Sequence, residues 1–369
     1  MTAEPEPCLG TVVIIGGNGL LGHHIVQKLL EARIASHIVV FDILTSKRIQ
    51  GVEYITGNLT SRHDIMNLLI DHRPKVIFHT ASPSPLTNNK RLLHDVNVNG
   101  TRNLLDCISA CSHPSLKALV YTSTTGVAHN GYTDTVHATE NSPLCFHPNQ
   151  KVYYAHTKAV AEDTVLKANR SYNNFLTAAI RPGSLYGEHD HLLTGSMIDL
   201  GRKNIIIGHG KNGFDFTYVG NCADAHILAA KSLVRAACGE PIAEDRRVDG
   251  EAFFVTDDQP LGFWEFSRVV TVAAGFEVDR SNAWYIPKTL IVVVATLLEW
   301  IFKLLTFGTR QPTLIRSAVI PTTVERTFDI SKAREQLGYT PQVDAQEAIR
   351  RTAAWYNLEH PTDTKSKDT

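Results

Sequence analysis

The chain is expected to fold as an α/β protein, a doubly wound parallel sheet with a smaller C-terminal lobe. Three observations predict it. TVVII at residues 11–15 is a short, fully apolar, largely β-branched run, which suits a strand covered on both faces. It ends in Gly16-Gly17-Asn18-Gly19-Leu20-Leu21-Gly22, and HHIVQKLLEA beyond it has helical spacing. Further apolar runs then alternate with amphipathic stretches of helix length, the pattern of parallel strands joined by crossover helices.

In chain order, HIVVFD (His37 to Asp42) reads as the second strand and VEYI as the third, followed by KVIFH, KALVYTS and FLTAAIRP, with EAFFVT returning to the same sheet. Helices are expected over 63–72, 97–112, 154–170 and 219–234. Near residue 185 the alternation stops. The expected division is a flexible leader over 1–10, a main unit over 11–185 rejoined by 219–257, a lobe built from 186–218 and 258–360, and a disordered tail over 361–369.

Composition narrows the function. With 369 residues the chain can bury a core of one large domain or two. Lys and Arg number 36 against 37 Asp and Glu, a net charge of -1, so no nucleic-acid partner is expected. The six cysteines form no CxxC, and no apolar stretch lies near Met1, which points to a reduced, intracellular chain. Leu290 to Phe307 is an apolar stretch of 18 residues, about 27 Å as a helix, interrupted by Thr296, Glu299, Lys303 and Thr306. Membrane association is expected of it, as a span or as an interfacial helix anchored by Trp300 and Phe302 with a Glu299/Lys303 pair outside. The alternative is a helix buried between lobes.

The glycine cluster sits between a strand and a helix, where Gly16 can turn the chain, Gly19 can admit a pyrophosphate to backbone N–H groups, and Gly22 can bring helix and strand close. Leu20 and Leu21 supply amides of the first helical turn. Asp42 closes the next strand 20 residues after Gly22, placed to accept both ribose hydroxyls of NAD and to repel a 2′-phosphate. NADP is the alternative, because Lys47 and Arg48 follow closely. Asn58, in TGNL with Leu59, is either an adenine contact or a turn residue. Thr80, Ala81 and Ser82 close the fourth strand on the nicotinamide side.

Tyr154 and Lys158 fall at i,i+4 on one helical face, where an ammonium can favour the phenolate and also hold the nicotinamide ribose. Ser123 or Thr124, at the end of the fifth strand, can hydrogen-bond the reacting oxygen. His129 and His137 read as loop histidines without a catalytic role. With no HExxH and no tight His/Cys/Asp cluster, no metal is expected. The implied chemistry is hydride transfer with tyrosine-assisted proton removal.

GGNGLLG, HTASP, NVNGTRNLL, YTSTTGV, YYAHTK, RPGSLYG, DFTYVGNCADAH, FWEF and DISKAREQLGY occur in that order. Over essentially the whole chain they resemble the extended short-chain dehydrogenase/reductase superfamily, and most of all its 3β-hydroxysteroid dehydrogenase branch with the fungal sterol-4α-carboxylate 3-dehydrogenases. The resemblance implies a Rossmann-like NAD-binding domain and makes Thr124 the catalytic hydroxyl, three residues before Val127, with Ser123 able to share the role. Relatives usually carry Ser at that position. It implies Asn99 of NVNGT as a support for the active-site helix and water, and Arg181, Pro182 and Gly183 near the nicotinamide and substrate. Asn58 stands where relatives commonly carry Asp.

The implied activity is NAD(P)-dependent oxidation of the 3β-hydroxyl of a 4α-carboxysterol or related triterpenoid, with loss of the C4 carboxylate as CO2. The alternatives are a 3β-hydroxysteroid dehydrogenase with or without Δ5-Δ4 isomerase activity, a triterpenoid-tailoring dehydrogenase, a nucleotide-sugar epimerase, and a non-catalytic NAD-binding scaffold. The implied location is the endoplasmic reticulum membrane with the catalytic domain facing the cytoplasm, or the cytoplasm if 290–307 is core. The two middle helices can form a homodimer seam or serve the monomer core.

Overall fold

The computed structural model describes residues 9–46, 48–172, 174–307, 312 and 314–361. Most of the expected leader, Lys47 and tail residues 362–369 therefore lie outside the described residues. Leu9 is already core: it is fully buried and its N–H donates to Ile34 O at 2.7 Å.

Seven strands make the main sheet: β1 (Thr11–Ile15), β2 (His37–Asp42), β3 (Glu53–Thr56), β4 (Val76–His79), β5 (Ala118–Thr122), β6 (Leu176–Pro182) and β7 (Ala252–Val255). Their order is β7-β6-β5-β4-β1-β2-β3, and every neighbouring pair is parallel. Alternate residues feed opposite faces, as the two-residue strand period requires. Val12, Ile14, Val40 and Phe78 join one buried cluster, whereas Val13, Ile15, Val39 and Ile77 join the other. Burial on both faces explains why these strands are apolar without a break.

The longer helices are α1 (Leu20–Ala32), α2 (Arg62–His72), α3 (Thr101–Cys111), α4 (Tyr153–Lys167), α5 (Thr194–Lys203), α6 (Val219–Ala237), α7 (Phe263–Ala273), α8 (Lys288–Leu305) and α9 (Ala345–Glu359). The helix expected over 97–112 is a π-helical segment, His94–Gly100, running into α3. Leu104, Cys107 and Ile108 of α3 and Ala161 and Val165 of α4 are buried in this chain's own core, where a dimer seam was the other expectation.

Strand order reverses between β1 and β4, which opens a crevice at the carboxyl ends of the sheet. A second sheet closes over it. Its four short strands run in the order Leu261–Gly262, Gly213–Phe214, Arg326–Phe328 and Thr135–Ala138. Segments of two to four residues are too short to show a period, so this sheet has no signature in the sequence.

The expected membrane span is overturned. Among the described residues no helix is long and apolar enough to cross a membrane. In 18 residues α8 carries Lys288, Glu299 and Lys303, which removes the endoplasmic-reticulum membrane topology drawn from it. Nor is α8 a core helix, since Ala295 is its one buried residue. Leu297 is 57% exposed, Trp300 59% and Leu304 69%. The Glu299/Lys303 pair does not form either. Glu299 accepts from Arg316 N at 2.7 Å and from Arg316 Nε at 2.9 Å, while Lys303 Nζ lies 5.9 Å from the Trp300 ring centre.

Candidate active site

The crevice is a cavity of about 940 Å³ lined by the glycine loop, the ends of β4, β5 and β6, the start of α4, and the second sheet. Gly16 sits at φ 86°, and a Cβ there would stand 2.5 Å from Ala81 N. Only glycine allows both that turn and that approach. A Cβ on Gly22 would collide with Gly16 O, so helix and loop touch because Gly22 has no side chain. Gly19 ends the loop as the N-cap of α1 with no side-chain cap, leaving the amides of Leu20, Leu21 and Gly22 at an uncapped helix start. Such an end binds anions, so the cradle fits a dinucleotide pyrophosphate. Asp42 Oδ2 accepts from Asn18 N at 3.0 Å, tying the carboxylate to this loop. Thr80 Oγ1 donates to Ile15 O at 3.0 Å and lies 3.1 Å from Gly16 O, pinning β4 to the loop.

Tyr154, Lys158, Ser82, Ser123, Thr124, Pro182 and Gly183 all line the same cavity. Burial pushes the Tyr154 phenol up to about 12, with the nearby Ser82 side chain opposing the rise. Burial pulls Lys158 down to about 7, opposed by the Glu162 carboxylate. Lys158 is 1% exposed, and its Nζ lies 4.3 Å from the Tyr121 ring centre. Ser123 Oγ is buried with no hydrogen-bond partner, whereas Thr124 Oγ1 accepts from Gly126 N at 3.2 Å and keeps its own proton to donate.

Five expected residues stand elsewhere. Asn99 is exposed and donates to Asp95 Oδ1 at 3.1 Å. Two residues away on the helix is another face, and there buried Asn97 donates to Thr157 Oγ1 of α4 at 3.0 Å. Asn97 is thus the asparagine of NVNGT that braces the catalytic helix. Arg181 is buried away from the cavity and paired with Glu162, Nη2 to Oε1 2.5 Å. That pair ties α4 to β6. Leu59 is core beneath α3, and its carbonyl accepts from Asn103 Nδ2 at 2.8 Å. Asn58 Oδ1 takes the Thr60 N–H at 3.0 Å, a turn residue's bond. Ala81 backs the Gly16 turn with its backbone while its side chain packs into the core.

His129, which the sequence offers only as a loop histidine, and Arg326, which lies in no motif, also line the cavity. Both come from outside the α/β alternation and meet through the second sheet. Away from the cavity, ligand atoms of His37, Glu53 and His72 lie within 4.8 Å of one another, a grouping of three elements that no spacing announces.

Residues 13–288 match the 3-beta hydroxysteroid dehydrogenase/isomerase family. A sterol-4-alpha-carboxylate 3-dehydrogenase, decarboxylating, of Saccharomyces cerevisiae is 36% identical over 359 residues, covering 94% of this chain and 98% of the yeast one. A 3beta-hydroxysteroid-dehydrogenase/decarboxylase of Arabidopsis thaliana is 34% identical, covering 92% and 78%. Among solved structures, a UDP-glucose 4-epimerase of Thermotoga maritima covers 95% of this chain and 99% of its own with a TM-score of 0.68. At 18% identity that last likeness is one of fold.

Proposed function

Since the chain belongs to the 3-beta hydroxysteroid dehydrogenase/isomerase family and is an NAD(P)-dependent oxidoreductase, we propose that it oxidises the 3β-hydroxyl of a 4α-carboxysterol or close triterpenoid and releases the carboxylate as CO2. One observation carries the reading: Tyr154, Lys158 and the Ser123 and Thr124 hydroxyls share a single cavity with the glycine loop. Gly16, Gly19, Leu20, Leu21 and Gly22 hold the pyrophosphate of the dinucleotide, and Asp42 takes its ribose hydroxyls, which favours NAD over NADP. Bound there, the nicotinamide supplies the hydride acceptor for C3.

Tyr154 receives the 3β-hydroxyl proton. Thr124 and Ser123 hold the same oxygen, and Lys158 brings positive charge to that face of α4. Once C3 is a ketone, the bond from C4 to the carboxyl carbon breaks, its electron pair passes to the C3 oxygen as an enolate, and CO2 leaves. Tyr154 and Thr124 are then positioned to stabilise that oxygen.

The test is paired NADH and CO2 release from matched 3β-hydroxysterols with and without a 4α-carboxylate. The reading requires both products to appear together and to depend on the carboxylate. NADH from the neutral sterol alone would replace it with an ordinary 3β-hydroxysteroid dehydrogenase. The exposed face of α8 fits the same reading, because Leu297, Trp300 and Leu304 can seat in a lipid surface from which a sterol is drawn, with no part of the helix crossing it.

A further inference from the structure

Arg326 is a half-buried cation without an anion. Its Nη2 donates to Gly131 O at 3.0 Å and its Cζ lies 5.7 Å from the Phe214 ring centre, but its Nε is shut off from solvent with no hydrogen-bond partner. Burial lowers it to about 10, which still leaves it charged at neutral pH. Among the described residues no carboxylate lies within 4 Å of it. The two carboxylates in the cavity wall are committed elsewhere. Asp190 caps α5, accepting from Leu193 N at 3.0 Å and Thr194 N at 2.8 Å, and Asp215 Oδ2 accepts from Phe328 N at 2.7 Å. Such a charge is costly unless something brings it a counter-charge.

His129 lines the cavity beside it. The imidazole is held neutral, down to about 3, by burial and by the nearby Arg326 charge. Its Nδ1 accepts from Gly131 N at 2.9 Å, so in the neutral ring the proton is on Nε2, which leaves that nitrogen a donor. Both side chains hang on Gly131, one through its N–H and the other through its carbonyl.

We infer that Arg326 and His129 form the receptor for the substrate's carboxylate, so that the second sheet selects the acid over its neutral counterpart. This rests on the reading given under the proposed function. The guanidinium N–H groups make a fork matched to a carboxylate, with the His129 Nε2–H as a further donor. The role is in binding. As CO2 departs, negative charge moves from the carboxylate to the C3 oxygen, away from Arg326, so the fork holds the ground state and gives no help to bond breaking.

The experiment compares Arg326→Gln, Arg326→Lys and His129→Gln with wild type on a 4α-carboxysterol and on the same sterol with a 4α-methyl group, with melting curves to check folding. For the acid, Arg326→Gln is expected to raise KM roughly 10- to 100-fold with kcat within a few-fold, the worth of charge-assisted hydrogen bonds. Arg326→Lys keeps the charge without the fork and falls between, and His129→Gln gives a smaller rise of the same kind. KM for the methyl sterol stays at the wild-type value. Equal KM rises for both sterols, or unchanged KM for the acid in folded Arg326→Gln and His129→Gln, overturn the receptor while the decarboxylating function stands. If the Gln variant does not fold, His129→Gln and Arg326→Lys decide by the same readout. A wild-type enzyme that does not favour the acid removes the function and the receptor together.

Discussion

Two helices of similar length invert the usual arrangement of polar and apolar residues. In α4, Thr157, Lys158 and Glu162 are buried; in α8, Leu290, Val293, Leu297, Trp300 and Leu304 are exposed. Each inversion has a cost that something must offset. For α4 the compensation is internal: Asn97 meets Thr157, Arg181 meets Glu162, and Lys158 borders the Tyr121 ring and the cavity. For α8 no described residue covers the apolar face, and the ion pair of Glu299 with Arg316 fixes the helix at its polar side. Buried polar groups mark where chemistry is held, and bare apolar groups mark where the molecule meets something else.

The strongest way to test the α4 half is Tyr154→Phe, which keeps the ring and removes the proton carrier. We expect NADH and CO2 formation to fall together by roughly a thousandfold with the melting temperature nearly unchanged. Removing one partner of the internal pair comes next: Glu162→Ala leaves Arg181 uncompensated and is expected to destabilise by about 3–5 kcal/mol in urea titrations. Glu162→Leu combined with Arg181→Met should recover most of that loss. If it does not, the pair does more than hold α4 to β6.

Lys158 gives a subtler signal. Its folded value, near 7, lies below that of an unfolded lysine, so the unfolded chain binds the extra proton in the interval between them. Stability contributed by this group therefore rises with pH from about 7 towards the ordinary lysine range, and the burial penalty is fully felt below 7. Lys158→Met should flatten that rise in denaturation midpoints measured from pH 6 to 9. The smallest stability effect belongs to α8. Leu297→Ser with Trp300→Ser is expected to leave unfolding free energy within about 0.5 kcal/mol per site while reducing co-sedimentation with phospholipid vesicles. Marked destabilisation would mean the face is covered after all, and the contrast with α4 would fail.

The parts of the site legible in the sequence are those whose geometry is local. Gly16 to Gly22 turns, approaches and packs within seven consecutive residues, and Tyr154 and Lys158 need only one helical turn. The sheet was legible because its inner strands are buried on both faces and announce themselves as apolar runs, whereas the edge strand Glu53–Thr56 has no buried residue. Choosing Asn99 over Asn97 failed because two asparagines flank one valine, and only packing against Thr157 tells them apart. Arg181 drew attention by following a strand into the site, yet Glu162, 19 residues earlier, claims its guanidinium. Arg326 was invisible because its partner carbonyl, Gly131 O, is 195 residues away. For α8, hydropathy showed that the helix is apolar; which way its face turns depends on Arg316 binding Glu299.

The strand Arg326–Phe328 lies inside the second sheet, between Gly213–Phe214 and Thr135–Ala138, although it comes last in the chain. On the ribosome both neighbours emerge long before it, and the seven-stranded sheet has all its strands once residue 255 is out. A nascent chain can thus assemble its nucleotide cradle while the wall that receives the sterol still lacks its central strand.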